Sequence, residues 1–178
     1  ALLIGAGLPQ LVGQAGRAKS YAERLFEYPQ IGPLSKSAAI EALVAPAEKL
    51  GVKYDAKALE DILSQTKAYP YFLQEWGKHS WQCASQSPIV RKDVRCATEM
   101  AIADLDGGFF RVRFDRLTPG EKKYLRAMAE LEPDHCRSGD IARLLNKGVQ
   151  SVAPTRATLI AKGMIYSPSH GENSFTVP

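Results

Sequence analysis

Three histidines, three cysteines and a polar cluster near the C-terminus are the groups that could carry chemistry in this sequence. His79, His135 and His170 have no cysteine or carboxylate in a metal-ligand pattern, so no metal centre is expected. Cys136 follows His135 directly, but adjacency alone does not make a thiolate nucleophile; the pair reads as an exposed thiol beside a surface histidine. Cys83, Cys96 and Cys136 are odd in number and read as reduced thiols of a cytoplasmic protein. Gly5-Ala6-Gly7 opens like a dinucleotide-binding turn. The third glycine of that motif falls on Gln10, however, and Pro9 stands where the helix should begin. No G-x-x-x-x-G-K-[ST] occurs, so the chain lacks the backbone cradle and lysine that hold nucleotide phosphates. The C-terminal cluster remains. Gln150 can pair its amide with adenine, Ser151 and Thr158 stand beside it, and Arg156 and Lys162 can reach phosphate. His170, on a loop, can approach a minor groove or stay solvated.

These residues need a frame, and Ser138 to Pro178 supplies one. Ser138 is the expected N-cap of a first helix, with Asp140 in its first turn and Ile141, Leu144 and Leu145 on one face. Asn146-Lys147-Gly148 breaks the pattern, and Gly148 is expected to take positive φ there. A second helix starts near Ser151, with Pro154 in its first turn, Val152 and Leu159 inward, and Gly163 at its end. The β-prone runs Met164–Ser167 and Ser174–Val177 flank turn-forming residues and read as a hairpin. Two helices, a tight turn and a hairpin form the pattern of a winged helix-turn-helix, whose second helix commonly enters the major groove. Here the outward face of that helix is Gln150, Pro154, Ala157 and Ala161, flanked by Ser151, Ala153 and Thr158. Arg156 and Lys162 lie nearer the core margin. Residues 137–178 hold five basic and two acidic side chains, which supports weak, salt-sensitive backbone contact with DNA more than sequence readout. The same small, apolar face suits close packing against another protein surface, a regulatory docking that is the alternative to DNA contact, which the docking geometry of the fold puts first.

The rest of the chain is mainly helical. The 178 residues carry a net charge of +4, mildly basic and compatible with an acidic partner. No apolar run approaches the roughly 20 residues of a membrane span, so no membrane partner is expected. The apolar start Ala1–Ile4, without an initiator methionine, reads as the end of a buried strand in a longer protein, and a second strand-like run covers Leu25–Ile31. Ser35 or Ser37 caps a helix with Ile40, Leu43, Val44, Ala47 and Leu50 inward. Asp55 caps the next, Tyr69-Pro70 opens a third, and Asp93 caps a long one that continues to Phe114 across a weak point at Gly107-Gly108. Thr118-Pro119-Gly120-Glu121 has the form of a capping box. Three blocks follow: residues 1–34, the tail of an α/β core; 35–115, a helical bundle; and 117–178, the winged helix.

The order of Gly5-Ala6-Gly7-Leu8-Pro9, Tyr21-Ala22-Glu23-Arg24-Leu25-Phe26, Ile31-Gly32-Pro33-Leu34 and Ala68-Tyr69-Pro70-Tyr71-Phe72-Leu73-Gln74 resembles the C-terminal half of a bacterial AAA+ ATPase. The similar proteins are the signalling and initiator-like P-loop ATPases that end in a winged helix. Phe109–Thr118 and Arg156…Lys162-Gly163-Met164-Ile165-Tyr166 fit the same family. The resemblance implies that residues 35–115 are the helical lid. It places Arg24 where such proteins carry an arginine finger acting on a neighbouring subunit, the alternative being a surface arginine paired with Glu23 or Glu27. Tyr69 and Pro70 fall at the lid turn that faces nucleotide, where the family's Gly-x-Pro has Ala68 in place of glycine. Gln10 is the polar candidate in the sensor-1 turn. ATP and Mg²⁺ would belong to the longer protein and neither to this stretch, which alone would be inactive as an enzyme. The implied partners are DNA, the protein's own ATPase module, and further copies of the chain.

Overall fold

The computed structural model describes residues 4–7, 11–19, 21–29, 31–131 and 136–177, with the backbone alone at 12–14, 17, 22 and 23. The chain divides into two compact units, Ile31–Asp115 and Arg116–Pro178 together with Ala1–Gln30.

Of the expected N-terminal strand Ala1–Ile4, Ile4 alone is described. Ile4 is 84% exposed and outside any strand. Leu11–Ala18 (α1) is a helix and Ala22–Leu25 (α2) a short one, and the described residues of the strand-like run Leu25–Ile31 form no strand. A short apolar run does not by itself specify a strand. Ala1–Leu3, Pro9 and Gln10 lie outside the described residues.

The unit Ile31–Asp115 is built from capped helices. Ser35 caps Lys36–Glu48 (α3), its hydroxyl accepting from the Ala38 amide at 3.2 Å. Ala39, Leu43 and Ala47 form the buried stripe, four residues apart as a helix requires. Leu50 lies past the helix end and is 71% exposed, unlike the inward position expected of it. Asp55 caps Ala56–Thr66 (α4) by accepting from Lys57. Pro70 opens Pro70–Cys83 (α5), whose missing N–H removes no helical bond at that position. Phe72, Leu73, Trp76 and His79 point inward from α5. Arg91–Asp104 (α6) packs on α5: the Trp76 indole donates to the Thr98 hydroxyl at 3.0 Å, and Cys83 is joined to Cys96 by a disulfide. The pairing corrects the expectation of three reduced thiols; Cys136 stands outside the disulfide, and it is buried rather than exposed. Asp93 is the third residue of α6 rather than its cap. Its carboxylate accepts from the amide of Val90, the capping residue, at 2.9 Å. The helix runs on through a π turn, Leu105–Phe110, into Arg111–Phe114 (α7). Gly107 and Gly108 sit inside that turn, so the weak point is a widening of the helix.

Between α4 and α5, Lys67 and Ala68 both take left-handed backbone, with φ of 51° and 57°. The Ala68 carbonyl accepts from the Leu34 amide at 3.0 Å, and the Tyr69 amide donates to Thr66 at 2.9 Å. The turn therefore keeps the conformation a glycine would serve, with a Cβ present.

In the other unit Thr118 and Glu121 form the expected capping box of Pro119–Glu130 (α8): the Thr118 amide donates to the Glu121 carboxylate at 2.7 Å, and the Glu121 amide to the Thr118 hydroxyl at 3.3 Å. Cys136–Arg137 (β1), Ser138–Leu144 (α9), Val149–Ala161 (α10), Ile165–Tyr166 (β2) and Glu172–Phe175 (β3) follow. The strands form an antiparallel sheet in the order β1-β3-β2, with Cys136 opposite Asn173 and Ile165 opposite Phe175. Tyr124, Met128, Cys136, Ile141, Val152, Leu159 and Ile165 make the core.

Four local expectations change. Arg137 precedes α9 as its cap, and Ser138 is its first residue. Leu144 is 44% exposed, and Ala142 takes the inward place. Asn146, at φ 52°, supplies the left-handed residue of the turn, while Gly148 caps α10 in extended backbone. Because α10 begins at Val149, Pro154 lies beyond the first turn and removes the amide that would bond the Gln150 carbonyl.

Left-handed backbone costs an L-residue about 1–2 kcal/mol, partly offset by the lower unfolded-state entropy of alanine. Ala68→Gly is therefore expected to stabilise the chain by about 0.5–1 kcal/mol. Urea unfolding measures this, and a midpoint that stays put or falls would remove the strain from the account.

Candidate functional site

The two basic side chains of α10 are held inside their own unit. Arg156 donates through Nε to Asn173 Oδ1 at 2.5 Å and through Nη2 to Ser167 Oγ at 2.7 Å and the Glu172 carbonyl at 3.2 Å. Asn173 is fully buried, and its amide nitrogen donates to the Cys136 carbonyl and to Ser138 Oγ, each at 3.1 Å. Ser138 donates its backbone N–H at 2.9 Å and its hydroxyl at 3.1 Å to the Gly171 carbonyl. Arg156, Asn173 and Ser138 thus tie α10, the hairpin and the start of α9 into one polar knot.

Lys162, at the end of α10, reaches Glu121 Oε2 at 2.7 Å and the Arg116 carbonyl at 3.0 Å. Glu121 is buried at the N-terminus of α8. The Lys162 ammonium first, then the Thr118 amide, hold its carboxyl down to about 2 from 4.5.

The remaining sites of the C-terminal cluster lie outward. Gln150 is exposed, Ser151 donates to the Gly148 carbonyl at 2.7 Å, and Thr158 to the Thr155 carbonyl at 2.9 Å. Val149, Ala153, Pro154, Ala157 and Ala161 complete an exposed, mostly small and apolar helix face. His170 is exposed at the hairpin tip, on the rim of a cleft of about 260 Å³ that Ser138, Val152 and Arg156 also line. Arg137 and Lys147 are exposed, while Arg143 is paired with Asp140.

The residues assigned to nucleotide chemistry fall in different units. Arg24 is exposed at the end of α2. Tyr69 and Pro70 start α5, where the Tyr69 ring lies 5.0 Å from that of Phe72. His79 differs from the expectation that no carboxylate attends it. It is buried on α5, with Glu75 one turn before it and Asp104 facing it from the end of α6. Glu75 and His79 stand at i and i+4, a spacing legible in the sequence; Asp104 is brought in only by the packing of α6. His135 lies outside the described residues.

Glu121 is a carboxyl whose folded pKa is depressed. Its contribution is complete above about pH 4.5 and is lost as pH falls towards about 2, on the order of 2–3 kcal/mol. Glu121→Gln is expected to flatten the fall in urea stability between about pH 5 and 3, read on the α8 amides. An unchanged slope would show that the pair carries no linkage. Lys162→Met, which strands the buried carboxylate, is expected to destabilise the unit by about 3 kcal/mol at neutral pH.

Residues 107–178 match the model of a family described as Domain of unknown function (DUF8462). No curated protein matches the chain. Among solved structures it is similar to a variant of RuvB from Thermotoga maritima, at 13% identity and a TM-score of 0.41, over 82% of this chain and 47% of that one. The chain spans about half the length of that structure.

Proposed function

We propose that this chain is the helical lid and terminal winged helix of a P-loop ATPase, and that the winged helix works by docking on protein, its own ATPase module first. The lid reading draws support from the left-handed Ala68 ahead of Pro70, a turn able to present α5 to a nucleotide held elsewhere in the protein. The winged-helix reading draws on α8, α9 and α10 packed with a β1-β3-β2 sheet.

One observation carries the choice of partner. Arg156 and Lys162, the basic groups of α10, already bond to Asn173, Ser167, Glu172, Glu121 and Arg116. A helix that reads bases needs Arg, Lys, Asn or Gln directed outward, and here Gln150 alone of those types faces out among small apolar neighbours. Such a face fits close contact with another folded surface. Weak contact with the DNA backbone is the second reading, favoured by the exposed Arg137, Lys147 and His170. ATP and Mg²⁺ bind in the rest of the protein, and Arg24 acts on a neighbouring subunit's phosphoryl group, which requires assembly of several copies.

The test uses the full-length protein and a mixed-sequence labelled duplex across a salt series. Ala157→Arg, placed on the outward face, is expected to change the ATPase rate several-fold while the wild type shows no duplex binding even at about 50 mM salt. Tight duplex binding that falls steeply with salt, and is lost in the Arg137→Ala/Lys147→Ala double variant, would transfer the assignment to DNA. Arg156 and Lys162 are left intact because their loss would disturb the fold.

A further inference from the structure

We propose that Glu75, His79 and Asp104 form a binding site for a divalent transition ion of the zinc type. The site lies wholly within the unit Ile31–Asp115 and is independent of the docking face. The His79 ring is buried, and its Nδ1 lies 3.1 Å from the Gln82 side-chain oxygen. In the tautomer that carries its proton on Nδ1, the ring donates to that oxygen and the Nε2 lone pair faces the carboxylates. Nε2 stands 3.1 Å from Asp104 Oδ2 and 3.6 Å from Glu75 Oε2 without a hydrogen bond of good geometry to either. A buried lone pair facing two anionic oxygens is unfavourable unless a proton or a metal cation stands between them.

The spacing fits such a cation. Zinc bonds of about 2.0–2.1 Å set the edges of a tetrahedron near 3.3 Å. The two nitrogen–oxygen separations, 3.1 and 3.6 Å, bracket that edge, and with all three ligand atoms within 4.8 Å of one another a small side-chain adjustment brings both carboxylates onto one ion. An imidazole with two carboxylates selects zinc-like ions over magnesium or calcium, which favour oxygen alone. Gln82 takes the part of the outer partner that fixes the tautomer of a ligating histidine. The fourth position opens to solvent, since the Asp104 side chain is 56% exposed.

A competitor for the carboxylates stands close by. The Lys78 ammonium lies 3.4 Å from Glu75 Oε2 and 3.3 Å from Asp104 Oδ2. Lys78 is 49% exposed on a flexible stem, so it can leave for water when a metal ion enters.

Calorimetric titration of the chelator-treated chain with Zn²⁺, and absorption spectroscopy with Co²⁺, test the site. One ion per chain is expected to bind with micromolar affinity, with the Co²⁺ bands of a four-coordinate centre. His79→Gln and Asp104→Asn are each expected to weaken binding by at least about tenfold. Lys78→Ala is expected to tighten it, an effect that a merely structural cluster would not show. Asp104 is exposed enough for its variant to stay folded, which far-UV circular dichroism checks. Absence of saturable binding by the folded wild type, or binding that survives both ligand variants or disappears with His170→Gln, would overturn the site.

Discussion

A buried side-chain amide holds the C-terminal unit together. Its strands are two, two and four residues long, too short for their backbone ladder to fix the sheet against the helices. Asn173 compensates. Its nitrogen binds the Cys136 carbonyl and the Ser138 hydroxyl, and its oxygen takes the Arg156 guanidinium. Arg156 in turn grips Ser167 and the Glu172 carbonyl on the hairpin. The polar groups of a buried asparagine are costly to leave unmade, so their mutual satisfaction selects one orientation of hairpin, strand and helix. The same network withdraws positive charge from the outer face of α10.

The unit Ile31–Asp115 depends instead on α5. Its apolar face carries Phe72, Leu73 and Trp76, and its polar contacts run to α6 through the Trp76–Thr98 hydrogen bond and the Cys83–Cys96 disulfide. Tyr71 and Phe72 meet Phe109 and Phe110 from the π turn at ring separations of 5.2 and 6.2 Å. Arg113 lies 4.2 Å over the Phe109 ring, covering its face with a guanidinium. One helix thereby supplies apolar, covalent and aromatic contacts, and its start carries the left-handed turn at Ala68.

Local chemistry was legible in the sequence. Ser35, Asp55, Pro70 and the Thr118–Glu121 box act within three residues of themselves, and each holds its helix end as read. Gly163 ends α10 at φ 69° for the same reason. What depended on distant partners was not legible. Ser138 has the residue type of a cap, yet its hydroxyl serves Gly171, thirty-three residues away. Cys136–Arg137 gains strand form only by pairing with β3, and Cys83 meets Cys96 only because α5 and α6 pack together. In the candidate docking site, helical spacing placed Val152 and Leu159 inward, as observed, and set Arg156 and Lys162 at the core margin. It could not show that Asn173 and Glu121 already hold those two cations.

The π turn at Leu105–Phe110 changes how the segment after it must be read. A wider turn takes in one residue more than an α-helical turn, and each residue is worth about 100° of rotation. A helical wheel drawn unbroken from Arg91 to Phe114 therefore assigns everything past the turn to the wrong sector. The segment behaves as two cams on one shaft, the second offset from the first. Val94, Ala97 and Ala101 before the turn face the core, while Phe109 and Phe110 within it meet the aromatic rings at the start of α5.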